Sequence, residues 1–598
     1  MAFDDTDFDA GVSPGGRKAK PPAVPPPREA PTADACPVKP LGKTSGLFAF
    51  MTPGGEIEYV RAKDLATRAV LTGLFDGDVR WLRACFPDQK EYFGAHWAAA
   101  WLMQACVAQG FFHAERQLRG PGAWRLQGGK ALLLHHGDTI EIRSERGSPV
   151  VMDAGARHGG YIYVASRAEA KPAKEAATRD DVAGFFNLLD RWRYSHPEDP
   201  RVLLGWVGCA YLAGALKWRP HVWLTGGTGT GKSTLEGVIR DLVGSSALRS
   251  AEPTKMAIAQ ALAGAARPVL LDEFERDIDP QKQESVVQLA RLASTEDQAG
   301  IMRGSPEGRV RVYLIRACFY LSGIVPAPLK PQDRSRIHMI DLRELDHAAG
   351  DVAEVMALTS KIPEFGPRLR ARAIEGFWRF QQNERTFEAA ILKVWNKGGR
   401  VVDQMGTLLA MSEMLLRDEA VTLAEACDLL GRFSEVRDDI LGRADEGESQ
   451  LCLRHLISSR IRCEHVEKTV GEIICNVREA SGGEARLIPS TGDHRFLMRH
   501  GMRVMRITGE GQSLGLAIAR NHRGLAELFR DTHWVGGAWN AVLKRVPGSY
   551  APSQPVRFTG EIERCRVFPL DLLPIDNSAP NVDGTGDCVE GPPQPEVL

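Results

Sequence analysis

A chain of 598 residues is too long for one hydrophobic core, and 43% hydrophobic with 25% charged residues is the composition of a globular protein with three or four domains. Lys and Arg number 75 against 76 Asp and Glu, which excludes a polycation that holds nucleic acid by bulk charge; any such contact must be local. Eleven scattered cysteines with no C-x-x-C pair exclude a disulfide framework and fit reduced thiols in a cytoplasmic protein.

Residues 1–45 are acidic and then proline-rich, with too few large apolar side chains to order themselves, and they hold no apolar signal-peptide core. Residues 46–165 read as an α+β domain, with a helix-like stretch at 92–118 and strand-like pieces in "KALLLHHGDTIEIRS" and "GGYIYVAS". His135, His136 and Asp138 lie in the first piece, and "GPGAWRLQGG" reads as a turn carrying an aromatic and an arginine. Neither forms a catalytic pattern. A nucleic-acid or partner-binding role is expected there, against the alternative of a core Trp124 and solvated histidines. Residues 166–181 are charged and alanine-rich, a linker or an exposed helix.

From 182 to 345 apolar strands alternate with helical patterns, which predicts an α/β core with a parallel sheet covered by helices. The run "LLGWVGCAYLAGAL" (203–216) falls short of the ~20 residues a bilayer span needs. "AHWAAAWLMQACVAQGFF" carries His96, Gln104 and Gln109, so both runs read as buried helices and no membrane contact is expected. A helical domain (346–445), a mixed domain (446–575) that is a candidate DNA contact, and an acidic disordered tail (576–598) complete the order. Cys452, His455, Cys463 and His465 match no common zinc spacing.

The core holds "HVWLTGGTGTGKSTLEGVIRDLV" (221–243): a β-rich run, a glycine-rich loop fitting G-x-x-x-x-G-K-[ST], and apolar residues at helical spacing. Glycines let backbone N–H groups wrap a phosphate, and the helix N-terminus adds favourable partial charge. Gly226, Gly227, Thr228, Gly229, Thr230, Gly231, Lys232, Ser233 and Thr234 are therefore the candidate ATP-binding residues. Lys232 would neutralise the β- and γ-phosphates, and the Ser233 hydroxyl would hold Mg²⁺. "RPVLLDEFE" (267–275) supplies a buried strand ending in Asp272 as a second Mg²⁺ ligand and Glu273 to polarise the attacking water. "GIMRGSPEGRVRVYLIR" (300–316) reads as a β-hairpin with a basic tip, its Arg303, Arg309, Arg311 and Arg316 facing one acid, Glu307. A third strand, "RACFYLSGI", carries Ser322, and "PQDRSRIHMIDL" places Arg334 and Arg336 before a last strand.

Phosphate loop, "LLDEFE", basic hairpin, "FYLSG" and "DRSR", in that order, resemble the helicase module of phage and mobile-element replication proteins. These are AAA+ P-loop ATPases near the superfamily-three helicases and the phage primase-helicases. The resemblance covers 186–345 well and extends loosely to 520–548 and 556–570, where it implies a winged-helix-like DNA-contacting unit. It implies a homo-oligomeric ring, a hexamer, that hydrolyses ATP at subunit interfaces and draws single-stranded DNA through a central channel alongside replication partners. Ser322 would sense the γ-phosphate where the family usually has asparagine, and Arg334 or Arg336 would reach a neighbour's site as a finger. Arg303, Arg309 and Arg311 would contact DNA. Many relatives carry a primase domain, but its pattern of paired aspartates on a strand followed by Ser-x-His has no match in 46–165. The alternative is an AAA+ ATPase that loads or remodels protein complexes on DNA without unwinding it.

Overall fold

The computed structural model describes residue 32 and residues 35–575, apart from 89–91, 251–253, 263, 273, 275–279, 296–299, 305–309, 325–328, 346–354, 434–435, 438–447, 464–465, 481–491, 508–512 and 533. The expected tails at 1–31 and 576–598 thus lie outside the described residues. The chain forms two compact units, residues 1–436 and 437–598.

The first unit begins with an antiparallel sheet of β1 (Lys39–Thr44), β2 (Leu47–Met51) and β3 (Ile57–Arg61). Strand β1 falls inside the stretch expected to be tail, because Cys36 and Val38 are buried in this sheet's core. Helix α1 (Ala95–Gln109) packs on the sheet through Ala95, Ala98, Ala99, Leu102 and Cys106, an i, i+3, i+4, i+7 stripe. Its other face leaves Trp97 and Val107 53% and 56% exposed, so this run is a half-buried helix rather than a buried one. A four-stranded antiparallel meander follows: β4 (Gly122–Leu126), β5 (Ala131–His135), β6 (Thr139–Ser144) and β7 (Val150–Asp153).

Two expectations fail in this region. The "GAWRL" segment is strand β4, not a turn, and Trp124 is buried with its indole N–H donating to Gly120 O at 2.9 Å. His135 and His136 are buried rather than solvated. His135 Nε2 bonds Val164 O at 2.9 Å while Nδ1 accepts from Gly137 N at 3.0 Å, and burial pushes both rings down to about 4. Residues 166–178 take up no regular structure and are tied to the unit by backbone bonds from Glu169 to His136, Ala173 to Pro367 and Ala177 to Arg368. Helix α2 (Arg179–Leu189) then opens on a capping box between Thr178 and Asp181.

The core contains α3 (Asp199–Tyr211), β8 (His221–Gly226), α4 (Lys232–Val243), β9 (Leu248–Ser250), α5 (Lys255–Leu262), β10 (Val269–Leu271) and α6 (Pro280–Ala293). A hairpin of β11 (Ile301–Gly304) and β12 (Val310–Tyr313) precedes β13 (Phe319–Gly323) and β14 (Ile337–Leu342). Five strands form one parallel sheet in the order β9–β10–β13–β8–β14. Every residue of β8, β10 and β13 is buried, which is why these strands read as unbroken apolar runs in the sequence. This is the parallel α/β core that the alternation of strands and helices predicts.

Helix α3 lies against the sheet, its Trp206 indole donating to Phe319 O at 3.1 Å. Its other side receives α7 (Ile362–Glu375) and α9 (Thr407–Leu416), while α8 (Phe377–Trp395) packs on α9 and carries α10 (Leu423–Arg432). A Cβ at Gly205 would sit 2.1 Å from Leu408 O, so only glycine lets α3 and α9 approach so closely.

In the second unit α11 (Glu448–Ser458), a hairpin of β15 (Arg460–Cys463) and β16 (Val466–Thr469), α12 (Val470–Ala480), α13 (Gly492–Arg499), β17 (Met502–Arg506) and β18 (Leu514–Ala519) follow in order. The β15–β16 hairpin is a sheet of its own, and β17 and β18 pair antiparallel in another. The later residues supply α14 (Arg523–Leu528), α15 (Ala538–Leu543) and β19 (Cys565–Pro569), the last pairing with β18. Cys452 and Cys463 are core residues and His455 Nε2 donates to Leu528 O at 3.1 Å, so these side chains serve packing; His465 lies outside the described residues. Among the described residues no helix is long and apolar enough to cross a membrane.

Candidate nucleotide site

Strand β8 delivers the glycine-rich loop to one edge of the sheet, and α4 begins directly after it at Lys232. The loop needs its glycines for distinct reasons. Gly229 and Gly231 sit at φ 79° and 73°, the left-handed region that costs any other residue. A Cβ at Gly231 would also lie 2.9 Å from both the Trp192 indole nitrogen and Leu345 Cδ1, and one at Gly226 would lie 2.8 Å from Thr230 Oγ1. The loop is braced from outside: Trp192 Nε1 donates to Gly231 O at 3.0 Å, Leu345 N to Gly229 O at 3.3 Å, and Thr230 Oγ1 to Gly227 O at 2.9 Å. Gly227, Thr228, Gly229, Ser233 and Thr234 stay exposed, so the loop backbone and the start of a 12-residue helix are open to an anion.

A cavity of about 490 Å³ opens beside this loop, lined by Lys232, Ser233, Glu236, Arg240, Asp272 and Ser322 among others. Asp272 follows β10 and is exposed to it. Its backbone is steered by Phe274, whose N–H donates to Ser322 O at 2.7 Å and whose buried ring lies 5.6 Å from Trp223. Glu273, between these two anchored residues, lies outside the described residues. Ser322 is fully buried on β13, level with Leu224 of β8. The set fits a nucleoside triphosphate with Mg²⁺: a left-handed glycine cradle, the cation Lys232, and the oxygen donors Ser233 and Asp272.

Sequence reasoning missed Glu236. It sits one helical turn after Lys232, with its Oε1 3.5 Å from Lys232 Nζ, and it accepts the Ser322 hydroxyl proton. It also shares a hydrogen bond with Asp272, and burial first, then the Asp272 charge against the pull of Lys232, pushes it up to about 7. The only signal was an acid at i+4 from a lysine, which ordinarily marks a solvated helix face. Trp192 was equally invisible, 39 residues before the backbone it braces.

The two candidate finger arginines differ in setting. Arg334 is exposed, its Nε donating to Leu329 O at 3.0 Å. Arg336 lies 5.8 Å over the Trp218 ring and donates to Gln332 O at 2.6 Å; burial, then Arg400 and Arg291, pull it down to about 10. Asp333, beside Arg334 in the sequence, is buried and pairs with Arg291 at 3.2 Å. Both arginines precede β14, whose Ile337 is level with His221, so they stand at the edge of the sheet opposite the loop.

The hairpin forms as the sequence predicts, with residues 303 and 311 as cross-strand partners. Arg303 is exposed. Arg309, Glu307 and the rest of the tip, together with the Arg311 side chain, lie outside the described residues. Arg316 leaves the basic set, since its guanidinium stacks 5.5 Å from Trp124.

No protein-family model matches the chain, and no curated protein matches it in sequence. Solved structures do. The active helicase Cch of SCCmec type IV is 12% identical, with 87% of this chain and 90% of that chain covered at a TM-score of 0.43. The C-terminal region of NrS-1 is 10% identical over 89% of this chain and 96% of its own, TM-score 0.32. A full-length MCM homologue from Methanopyrus kandleri is 11% identical over 54% and 76%, TM-score 0.27. These are distant likenesses of fold, and the chemistry rests on the geometry of the site itself.

Proposed function

We propose that the protein is an ATP-dependent DNA helicase or translocase of a prophage or mobile-element replication system, working as a ring with ATP hydrolysed between subunits. One observation carries this reading. The phosphate loop and Asp272 stand at one edge of the sheet and the exposed Arg334 at the other. Strands β8 and β14 are paired over six residues, roughly 20 Å at the usual rise per residue, which is farther than an arginine side chain reaches. Arg334 can therefore meet a phosphate only on a second copy of the chain, as a finger supplied in trans. Arg336, held over Trp218, is its support rather than the finger.

In this scheme Lys232 and the loop N–H groups bind the phosphates, Ser233 and Asp272 hold Mg²⁺, and Glu273 polarises the water. The bound ATP supplies the phosphoryl group and Mg²⁺ the neutralising charge. The hairpin grips the strand: a rung carrying arginines at 303 and 311 repels itself unless an anion is shared. The C-terminal mixed domain, 446–575, offers a second DNA contact.

The test is ATPase activity of the full chain with and without single-stranded DNA, with fork unwinding and mass in solution measured alongside. Stimulation by DNA, strand displacement and nucleotide-dependent assembly are expected. ATP hydrolysis indifferent to DNA and without displacement would instead favour a loader or remodeller of protein complexes. A monomer with nucleotide bound would remove the trans finger.

A further inference from the structure

We infer that Glu236 is a positioning residue of the nucleotide site: it holds Lys232 when no phosphate is bound and ties that lysine to Ser322 on the neighbouring strand. The inference rests on the nucleotide-binding reading above and adds a residue and a coupling to it.

An i, i+4 Lys–Glu pair on a helix surface is ordinarily a weak, solvated contact. Here both side chains are largely buried, 12% and 13% exposed, and they line the cavity itself. A buried carboxylate is costly unless its lone pairs are met. Glu236 meets that cost with partners from two elements, Lys232 on α4 and Ser322 on β13, while Asp272 after β10 opposes its charge. One oxygen, Oε1, serves both Lys232 and Ser322. Its 3.5 Å separation from Lys232 Nζ is that of a loose ion pair, which a phosphate can replace.

This changes the part assigned to Ser322. Its hydroxyl proton goes to Glu236, and the residue is fully buried, so serine does not stand in for a phosphate-contacting asparagine. It acts through Glu236. When a phosphate takes Lys232, Glu236 loses its cation and leans on Ser322. Ser322 also accepts the Phe274 N–H through its carbonyl, so the change reaches the segment that carries Asp272.

The experiment uses full-length wild type, E236Q, E236A, S322A and the E236A/S322A double variant. Affinity for a fluorescent ADP analogue is measured without divalent metal, together with melting temperature and kcat and KM for ATP. In E236Q the amide keeps a bond to Ser322 but gives up its hold on Lys232, so ADP should bind about tenfold tighter while kcat falls. E236A and S322A should each lower kcat about 30-fold, and the double variant should be no slower than either. Unchanged or weaker ADP binding by E236Q, or losses of E236A and S322A that multiply, would overturn the inference. Since glutamine is isosteric, E236Q decides the point even if E236A fails to fold. A wild type that binds no nucleotide refutes the parent reading and this one together. A wild type that binds and turns over ATP beside an E236Q that binds no tighter refutes this one alone.

Discussion

At the loop edge of the parallel sheet, Lys232, Glu236 and Asp272 face a cavity, and the loop backbone lies open. At the opposite edge the polar groups are closed off by the protein. His221 bonds Ala290 O at 2.6 Å through Nε2 and accepts from Phe319 N at 3.1 Å through Nδ1, while Arg219 donates to Ala293 O and Leu216 O. His338 lies 2.8 Å from a buried Asp199. The two edges are built from the same residue types, so it is the partner supply that separates chemistry from anchoring. Polar groups at the closed edge hold strands in register, and those at the open edge wait for a ligand. Arg334 is exposed on that closed edge, and its proposed part in another subunit's chemistry rests on this exposure.

The largest effect should come from the open edge. Lys232→Ala should abolish nucleotide binding and hydrolysis, because the phosphates lose their principal cation. Retained ADP binding in a fluorescence titration would place the nucleotide elsewhere. Arg334→Ala should lower kcat on the order of 10³-fold with nucleotide affinity kept, as expected of a finger. Mixing it with Lys232→Ala subunits should restore some activity, because each contributes the half that the other lacks. Arg336→Ala should instead lower the melting temperature, since it removes packing on Trp218. If the two variants behave alike, the contrast between the arginines fails.

A smaller effect is expected at the hairpin. Changing Arg303, Arg309 and Arg311 together to Ala should weaken single-stranded DNA binding about tenfold at moderate salt and flatten its salt dependence, with basal ATPase retained. An unchanged salt slope would take the hairpin off the strand.

Much of the core was legible because physics wrote it in runs. Strands β8, β10, β13 and β14 are mostly buried and hence mostly apolar, and the loop's glycines answer to a backbone conformation only glycine adopts freely. What escaped was whatever depends on a distant partner. Glu236 looks like any surface acid until Ser322, 86 residues on, is beside it. Trp124 looked like a loop aromatic because its flanking glycines suggested a turn, yet the strand it sits in pairs with β5 and buries it.

The smallest effect tests the closed edge by pH. Burial pushes His221 down to about 3 and His135 and His136 to about 4, against an unfolded value of 6.5. Between those values the unfolded chain binds protons that the folded one refuses, so stability falls as pH falls from 6.5 and is fully present above it. The loss approaches about 1 kcal/mol per histidine at pH 5.5. Glu236 works the other way: its folded value of about 7 lies above the unfolded 4.5, so its protonation favours the fold as pH drops through that interval. The difference between wild type and His221→Asn cancels that opposing contribution. Asparagine can still accept the Phe319 N–H but does not titrate, so the variant should be less stable at pH 7 and lose less between pH 7 and 5.5 in urea unfolding. Parallel losses in the two proteins would mean that His221 takes up its proton without unfolding, and the closed edge would not be closed.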